Sequence, residues 1–354
     1  MIRRFARQVA MFGGGIAHLG ASVAELNAIA DRLRALESTS TIPKVDPVTK
    51  QSQESLSRIA SLFVHYHAVF DVEETIARHH VTDLHPRSGH LTNFLGVAIN
   101  TKFFPQLLQD RGGEVEDVPI PGNWHADMAE FAAVLRSVDL ASGRFTMIEL
   151  GCGWGCWMNN AGLAARRRGL DVHVIGVEGD EGHIGFAKEA CQTNGFPEAG
   201  VTLHRGIAAA TAGFALFPRQ SDAGVSWGLY PVFDATEEER LQARKSGAWD
   251  ELRMLPLAEI AEAHERVDLL HIDIQGGEAD LIESCLPFIQ RKVAYIVVGT
   301  HSRQIEGRLF DILLKAGWRL EVERPGLLKL DGDTPYMWVD GIQGWRNPMM
   351  LPPT

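Results

Sequence analysis

The sequence predicts an α/β fold with a mostly parallel, seven-stranded sheet over residues 121–354, preceded by a largely helical extension over residues 1–120. Two observations carry this prediction. From Phe145 onward, short apolar runs alternate with segments of helical periodicity, as in strand–helix–strand units. Before that point, residues 22–36 and 55–79 place apolar side chains three and four positions apart, which is typical of amphipathic helices.

The elements of the predicted sheet follow in order along the chain. The expected strands span residues 145–150, 172–177, 201–204, 267–274, 294–298, 318–322 and 336–339. The expected helices span residues 124–140, 154–168, 181–194, 278–286 and 305–316. An insertion over 208–262 separates the third and fourth strands and is rich in aromatic residues, which suits either a lid over a site or a cap on the sheet.

Composition limits the classes of function. The formal net charge of −11 and the pI near 5.7 argue against a nucleic-acid partner, because such proteins usually present a basic face. Four cysteines form no disulfide framework, and no apolar run reaches the ~20 residues of a membrane span. We therefore expect a cytoplasmic enzyme, with residues 1–120 shaping an acceptor site or a homo-oligomer contact.

A glycine-rich turn follows the first strand of the predicted sheet. Gly151, Gly153 and Gly155 stand at alternate positions between that strand and the next helix. Glycines there let the backbone turn sharply and let a ligand approach without a Cβ in the way. The turn predicts a Rossmann-like domain that binds a nucleotide-like ligand.

Two acidic residues indicate which ligand this is. Cys156 takes the third glycine position of a dinucleotide fingerprint, and Glu149 lies where it would repel a pyrophosphate. S-adenosylmethionine (SAM) carries a sulfonium and an ammonium instead, so we predict SAM rather than NAD. Glu178 ends the second strand, where a carboxylate can accept both ribose hydroxyls, and Gly179 and Ile207 are expected to border the adenosine.

A second cluster of polar residues follows the fourth and fifth strands. Asp273 ends one strand, Glu278 begins the next helix and His301 ends the following strand. Ligands of open α/β sheets bind outside the carboxyl ends of the strands, so Asp273 and His301 are expected to meet at one cleft. We predict His301 as the general base of a methyl transfer and Glu278 as a support. Asp273 is expected to orient either that base or the acceptor, and also to contact the cofactor.

These motifs resemble the FkbM family of SAM-dependent methyltransferases. The likeness rests on Ile272-Asp273-Ile274-Gln275-Gly276-Gly277-Glu278, on His301 after a later strand and on the turn around Gly151. It implies a Rossmann-like fold, SAM as methyl donor and O-methylation of a sugar, glycan or secondary-metabolite hydroxyl. Gln275 stands where the family usually has Glu, and Gly277 where it usually has Ala.

Other functions stay open at this stage. Two carboxylates and an imidazole could hold Mg²⁺, but its octahedral shell cannot be read from sequence, so no metal ligand is assigned. A SAM- or nucleotide-binding interaction protein without catalysis and an NAD-dependent oxidoreductase are the alternatives to a methyltransferase. Trp124, His125 and Asp127, just before the first strand, could cover the cofactor pocket.

Overall fold

The computed structural model describes residues 63–331 and 334–352. The strands are β1 (His67–Ala68), β2 (His90–Thr92), β3 (Ala98–Asn100), β4 (Arg144–Leu150), β5 (Asp171–Glu178), β6 (Val201–Arg205), β7 (Ile207–Ala209), β8 (Gly213–Pro218), β9 (Trp249–Pro256), β10 (Leu269–Ile272), β11 (Tyr295–Thr300), β12 (Arg319–Arg324), β13 (Leu327–Asp331), β14 (Thr334–Val339) and β15 (Gly341–Arg346). The α-helices are α1 (Val72–His79), α2 (Pro105–Leu108), α3 (Met128–Leu140), α4 (Cys156–Arg167), α5 (Glu181–Thr193), α6 (Glu237–Ser246), α7 (Leu257–Ile260), α8 (Glu278–Lys292) and α9 (Arg303–Lys315).

The main sheet has the order β1-β12-β15-β11-β10-β4-β5-β6. The run β11-β10-β4-β5-β6 is parallel throughout, whereas β15 lies antiparallel between β11 and β12. The expected Rossmann-like α/β fold with a mostly parallel sheet is confirmed. The short strand β1 pairs antiparallel with the outer edge of β12 and adds an eighth strand to the predicted seven.

Helices cover both faces of the sheet, because successive strand residues point to opposite sides. On one face, Met147 of β4 joins a buried cluster with α3 and α4; on the other, its neighbour Ile148 packs with α8 and α9. Strands buried on both faces read as nearly continuous apolar runs, which is why they were predictable. Among the helices of the described residues, none has the length and apolarity needed to cross a bilayer.

The last strand of the sheet corrects one prediction. Residues 336–339 do form a strand, but in β14, which pairs only with β13 in a separate hairpin. Its expected place in the sheet is taken by β15, which is buried along its whole length. The polar residues Gln343 and Arg346 interrupt the apolar pattern by which a buried strand is recognised in a sequence. The Arg346 guanidinium lies 3.2 Å from the Glu321 carboxylate, and this ion pair allows it to be buried.

The N-terminal segment also departs from expectation. The predicted helix over 55–79 is wrong over 64–71, where the chain forms β1 and then turns into α1. Asp71 begins α1, because its side chain accepts the Glu74 amide hydrogen at 2.8 Å. The helix predicted over 22–36 lies outside the described residues, and the domain division at residue 120 stays a prediction.

The insertion over 208–262 folds as a small lobe. Strands β7, β9 and β8 form a three-stranded sheet, and α6 packs on β9. Between β8 and α6 the chain runs back over the main domain, where Ala223 O accepts a 2.7 Å hydrogen bond from His183 Nε2. The insertion therefore covers the carboxyl end of the sheet, the edge at which ligands of this fold bind.

Candidate active site

The turn between β4 and α4 is built from glycines with left-handed backbone. Gly151, Gly153 and Gly155 have φ of 76°, 51° and 76°, a region that other residues rarely adopt. A Cβ on Gly151 would lie 1.9 Å from the main-chain oxygen of Asp273, so this turn touches the loop after β10. Gly151 and Gly153 line the cavity described below, whereas Gly155 begins α4 and faces Ala187 of α5.

Glu149 lies in the same cavity wall but is already engaged. Its carboxylate accepts the amide hydrogens of Trp157 and Met158, at 3.2 and 2.8 Å, in the first turn of α4. Burial raises its pKa to about 7, although these bonds and the charge of His271 favour the ionised form. Glu149, which the sequence analysis identified because it would repel a pyrophosphate, thus also holds the start of α4 in place.

Glu178 holds the other side of the glycine turn. Its Oε2 accepts the Gly153 amide hydrogen at 2.9 Å, and its Oε1 accepts that of Asp180 at 2.8 Å. Burial opposes ionisation, but the hydrogen bond and charge of His183 outweigh it and lower the Glu178 pKa. The carboxylate is therefore ionised and fixed at the carboxyl end of β5, as predicted for a ribose-binding acid.

Gly179 and Ile207 lie beside Glu178, where the sequence places the adenosine. Gly179 follows β5 directly, and a Cβ there would lie 2.8 Å from the ring of Phe217. Ile207 opens β7, and both residues line the cavity. The structure thus brings together the cofactor residues predicted after three separate strands.

Asp273, Glu278 and His301 form one hydrogen-bonded group. His301 Nε2 lies 3.1 Å from Asp273 Oδ1, and its Nδ1 lies 2.9 Å from Glu278 Oε1. Burial would lower the His301 pKa, but the charges of Glu278 and Asp340 and the bond to Asp273 raise it well above its ordinary value. His301 is therefore an imidazolium with both nitrogens committed to carboxylates.

Exposure separates the roles within this group. The Asp273 side chain is 38% exposed, whereas those of His301 and Glu278 are 4% and 0% exposed. Gln275, whose φ is 61°, donates a 3.1 Å hydrogen bond to Asp273 Oδ1. Asp273 is thus the member of the group that a ligand can contact, and its neighbours hold it in place.

A cavity of about 690 Å³ joins the glycine turn to Asp273. The described residues lining it include one arginine and the carboxylates Asp127, Glu130, Glu149, Glu178, Asp234, Asp273, Asp280 and Asp340. The arginine, Arg324, is paired with Asp127 and donates to the main-chain oxygen of Asp340 at 2.7 Å. The wall therefore favours a cationic ligand and disfavours a phosphate.

An aromatic stack closes the cavity above the glycine turn. Trp227 of the insertion lies between Phe104 and His183, with ring centroids 4.1 and 4.0 Å apart. A Cβ on Gly153 would lie 3.0 Å from the Trp227 ring. The insertion predicted as a lid or a cap thus contributes a wall of the cavity.

Sequence reasoning missed part of the inner wall. The pairing of His271 with Glu130, at 3.2 Å, is a part of that wall that the sequence does not indicate. His125 lines the cavity together with Trp124 and Asp127, the segment that was expected to cover the pocket. Within the described residues, no group of three or more His, Cys, Asp or Glu is arranged to hold a metal ion.

Comparison with known proteins identifies the family. A protein of Jannaschia sp. (strain CCS1) described as "Putative methyltransferase" is 43% identical over 265 residues, covering 75% of this chain and 95% of the relative. The chain belongs to the methyltransferase family. No protein-family model matches this methyltransferase, so membership of the FkbM family stays a prediction.

Solved structures of other methyltransferases are also similar to this one. The precorrin-6y C5,15-methyltransferase from Geobacter metallireducens is 13% identical with a TM-score of 0.34, over 61% of this methyltransferase and 86% of that chain. The human methyltransferase 10 domain containing protein is 12% identical with a TM-score of 0.33, over 69% and 93% respectively.

Proposed function

We propose that this methyltransferase uses SAM and methylates a hydroxyl group of a sugar, glycan or secondary metabolite. The observation that carries the choice of cofactor is the acidic cavity beside the glycine turn, in which the one lining arginine is paired. SAM has a sulfonium and an ammonium and no phosphate. The pyrophosphate of NAD would meet Glu149 and Glu178 with no free cation among the lining residues to balance it.

The residues present fit the parts of SAM. Each Glu178 oxygen accepts one backbone hydrogen, which leaves further lone pairs for ribose hydroxyls. Gly179 and Ile207 line the cavity where the adenosine would lie, and Gly151 and Gly153 line it beside the turn. When bound, SAM would supply an electrophilic methyl group at the carboxyl ends of the strands.

The acceptor hydroxyl is assigned to Asp273. Its ionised carboxylate faces the cavity and can accept a hydrogen bond from a hydroxyl, which orients the oxygen for attack. His301 and Glu278 hold Asp273 rather than exchange protons, because both His301 nitrogens are taken. The resemblance of residues 272–278 and His301 to the FkbM family supports hydroxyl methylation.

Calorimetric titration with S-adenosylhomocysteine (SAH) and with NAD⁺ tests the cofactor. We expect the wild-type protein to bind SAH and not NAD⁺. Glu178→Ala is expected to weaken SAH binding by at least about 100-fold, because two hydrogen bonds to a charged group are lost. Glu181→Ala, which removes a carboxylate that is 81% exposed at the start of α5, serves as the matched control and is expected to bind normally.

The outcomes separate the alternatives. Binding of NAD⁺ in place of SAH would support an oxidoreductase and overturn the proposal. SAH binding without methyl transfer to any of a panel of sugars, phenols and glycosides, tested with and without Mg²⁺, would favour a non-catalytic SAM-binding protein. Methyl transfer to an amine and to no hydroxyl would overturn the choice of acceptor.

A further inference from the structure

Four histidines line the cavity, and three of them lie beside carboxylates that favour the protonated imidazole. His301 lies between two carboxylates, and His271 Nε2 lies 3.2 Å from Glu130. His183 donates to the main-chain oxygen of Ala223, and its Nδ1 lies 3.9 Å from Glu178. The carboxylate partners raise the pKa of each against the effect of burial, which disfavours the neutral form with its basic nitrogen, also at His271 Nδ1, which has no hydrogen-bond partner among the described residues.

The fourth histidine, His125, is held by aromatic rings instead. Its ring makes edge-to-face contacts with Phe104, Trp124, Trp154 and Trp157, at centroid distances of 5.2 to 6.3 Å. These contacts fix the orientation of the imidazole without using its nitrogens. A side chain fixed in this way in a cavity wall is suited to chemistry at one nitrogen.

The hydrogen bonding of His125 leaves Nε2 available. Nδ1 lies 3.7 Å from Cys156 Sγ, and the hydrogen bonds among the described residues include none to Nε2. Asn160 donates a 3.2 Å hydrogen bond to the same sulfur and holds it in place. When Nδ1–H donates to the sulfur, the Nε2 lone pair is free to accept a proton.

The charge state of His125 agrees with this geometry. Burial lowers its pKa to about 4 and the His271 charge acts in the same direction, although Asp273 opposes them. His125 is therefore neutral at physiological pH, whereas the pKa values of the other three histidines are raised. Groups in one site whose pKa values are pushed apart in this way commonly divide the roles of acid and base.

We infer that Nε2 of His125 accepts the proton of the acceptor hydroxyl, so that His125 is a catalytic residue. The inference rests on the proposed function. The hydroxyl oxygen forms its bond to the methyl carbon as the carbon–sulfur bond of the donor breaks, and that electron pair stays on sulfur. The proton passes from the hydroxyl to Nε2 and then to water, while Asp273 orients the oxygen.

Diethyl pyrocarbonate tests the free nitrogen without any acceptor, because it acylates accessible, unprotonated imidazole nitrogens. The full-length protein is labelled with SAH present, and the modified histidines are identified by peptide mass spectrometry. We expect His125 to be labelled and His301 to be protected. Labelling of His301 with His125 unmodified would overturn the inference.

The variant His125→Asn tests the catalytic role with a hydroxyl acceptor from the sugar, phenol and glycoside panel. We expect kcat to fall by roughly 10²- to 10⁴-fold, with added imidazole restoring part of the activity, while KM and SAH affinity stay near wild type. His173→Asn is the control, since His173 is half-buried outside the cavity wall and bonds Thr202 Oγ1 at 2.9 Å.

The results distinguish this inference from the proposed function. Wild-type protein that fails to bind SAH, or to methylate any hydroxyl, contradicts the proposed function. If the wild type is active and His125→Asn keeps the full kcat, the role of His125 is overturned while the proposed function stands. A variant that loses SAH affinity instead of kcat would make His125 a binding residue, which also overturns the inference.

Discussion

The substitution Gly151→Ala is expected to abolish SAH binding and to destabilise the fold. The new Cβ would lie 1.9 Å from the main-chain oxygen of Asp273, so the turn after β4 and the loop after β10 would have to separate. That oxygen belongs to backbone and cannot move aside like a flexible side chain. SAH titration and urea unfolding followed by circular dichroism measure the two effects.

A second glycine isolates the contribution of the backbone. Gly169, after α4, has the same φ of 76° as Gly151, but a Cβ there would meet nothing within 4 Å. Gly169→Ala is therefore expected to cost only the roughly 1–2 kcal/mol of left-handed strain and to leave SAH binding intact. Equal stability and equal SAH affinity of the two variants would contradict the role assigned to Gly151.

The substitution Glu278→Leu is expected to lower the free energy of unfolding by about 3–5 kcal/mol, because it leaves a buried imidazolium with one of its two partners. Glu278 Oε1 accepts from His301 at 2.9 Å and from the Gly276 amide at 2.9 Å, and the side chain is fully buried. Glu283→Leu on the same helix removes an exposed partner of Arg308 and is expected to cost less than about 1 kcal/mol.

The pH dependence of this loss has a definite sign. The folded-state pKa of His301 is raised, so its stabilisation is fully present below its unfolded pKa and is lost as pH rises through the folded-state value. The difference in the free energy of unfolding between wild type and Glu278→Leu should therefore become smaller in alkaline solution. Urea unfolding at about pH 6 and about pH 9 checks this, and a gap that widens with pH would contradict it.

Local patterns made the strand–turn–helix units predictable. The apolar run before Gly151 and the alternating glycines predict β4, its turn and α4, because neighbours in sequence supply the contacts. Asp273 and His301 could be placed together because parallel strands end at the same edge of the sheet. In each case a general rule of the fold replaces knowledge of distant contacts.

Contacts between distant parts of the chain account for the rest. Tyr66 and Phe70 continue a helical stripe, yet they flank β1, whose partner β12 lies some 250 residues later; the pairing joins His67 to Glu323 and Ala68 to Val322. That Glu278 occupies the second nitrogen of His301 is visible only when α8 and β11 are assembled. No local pattern shows that His125 lacks such a partner, so its distinction from the other histidines had to come from the structure.

The position of β15 has a consequence for how the chain assembles as it is synthesised. Strands β11 and β12 are made first, but β15 must enter between them before either can complete its hydrogen bonds. Until then the nascent sheet presents two open strand edges, that of β11 strongly apolar, and open edges are surfaces through which unfinished chains associate. The yield of folded protein should therefore depend on how quickly β15 follows β12 out of the ribosome and on chaperones that shield those edges meanwhile.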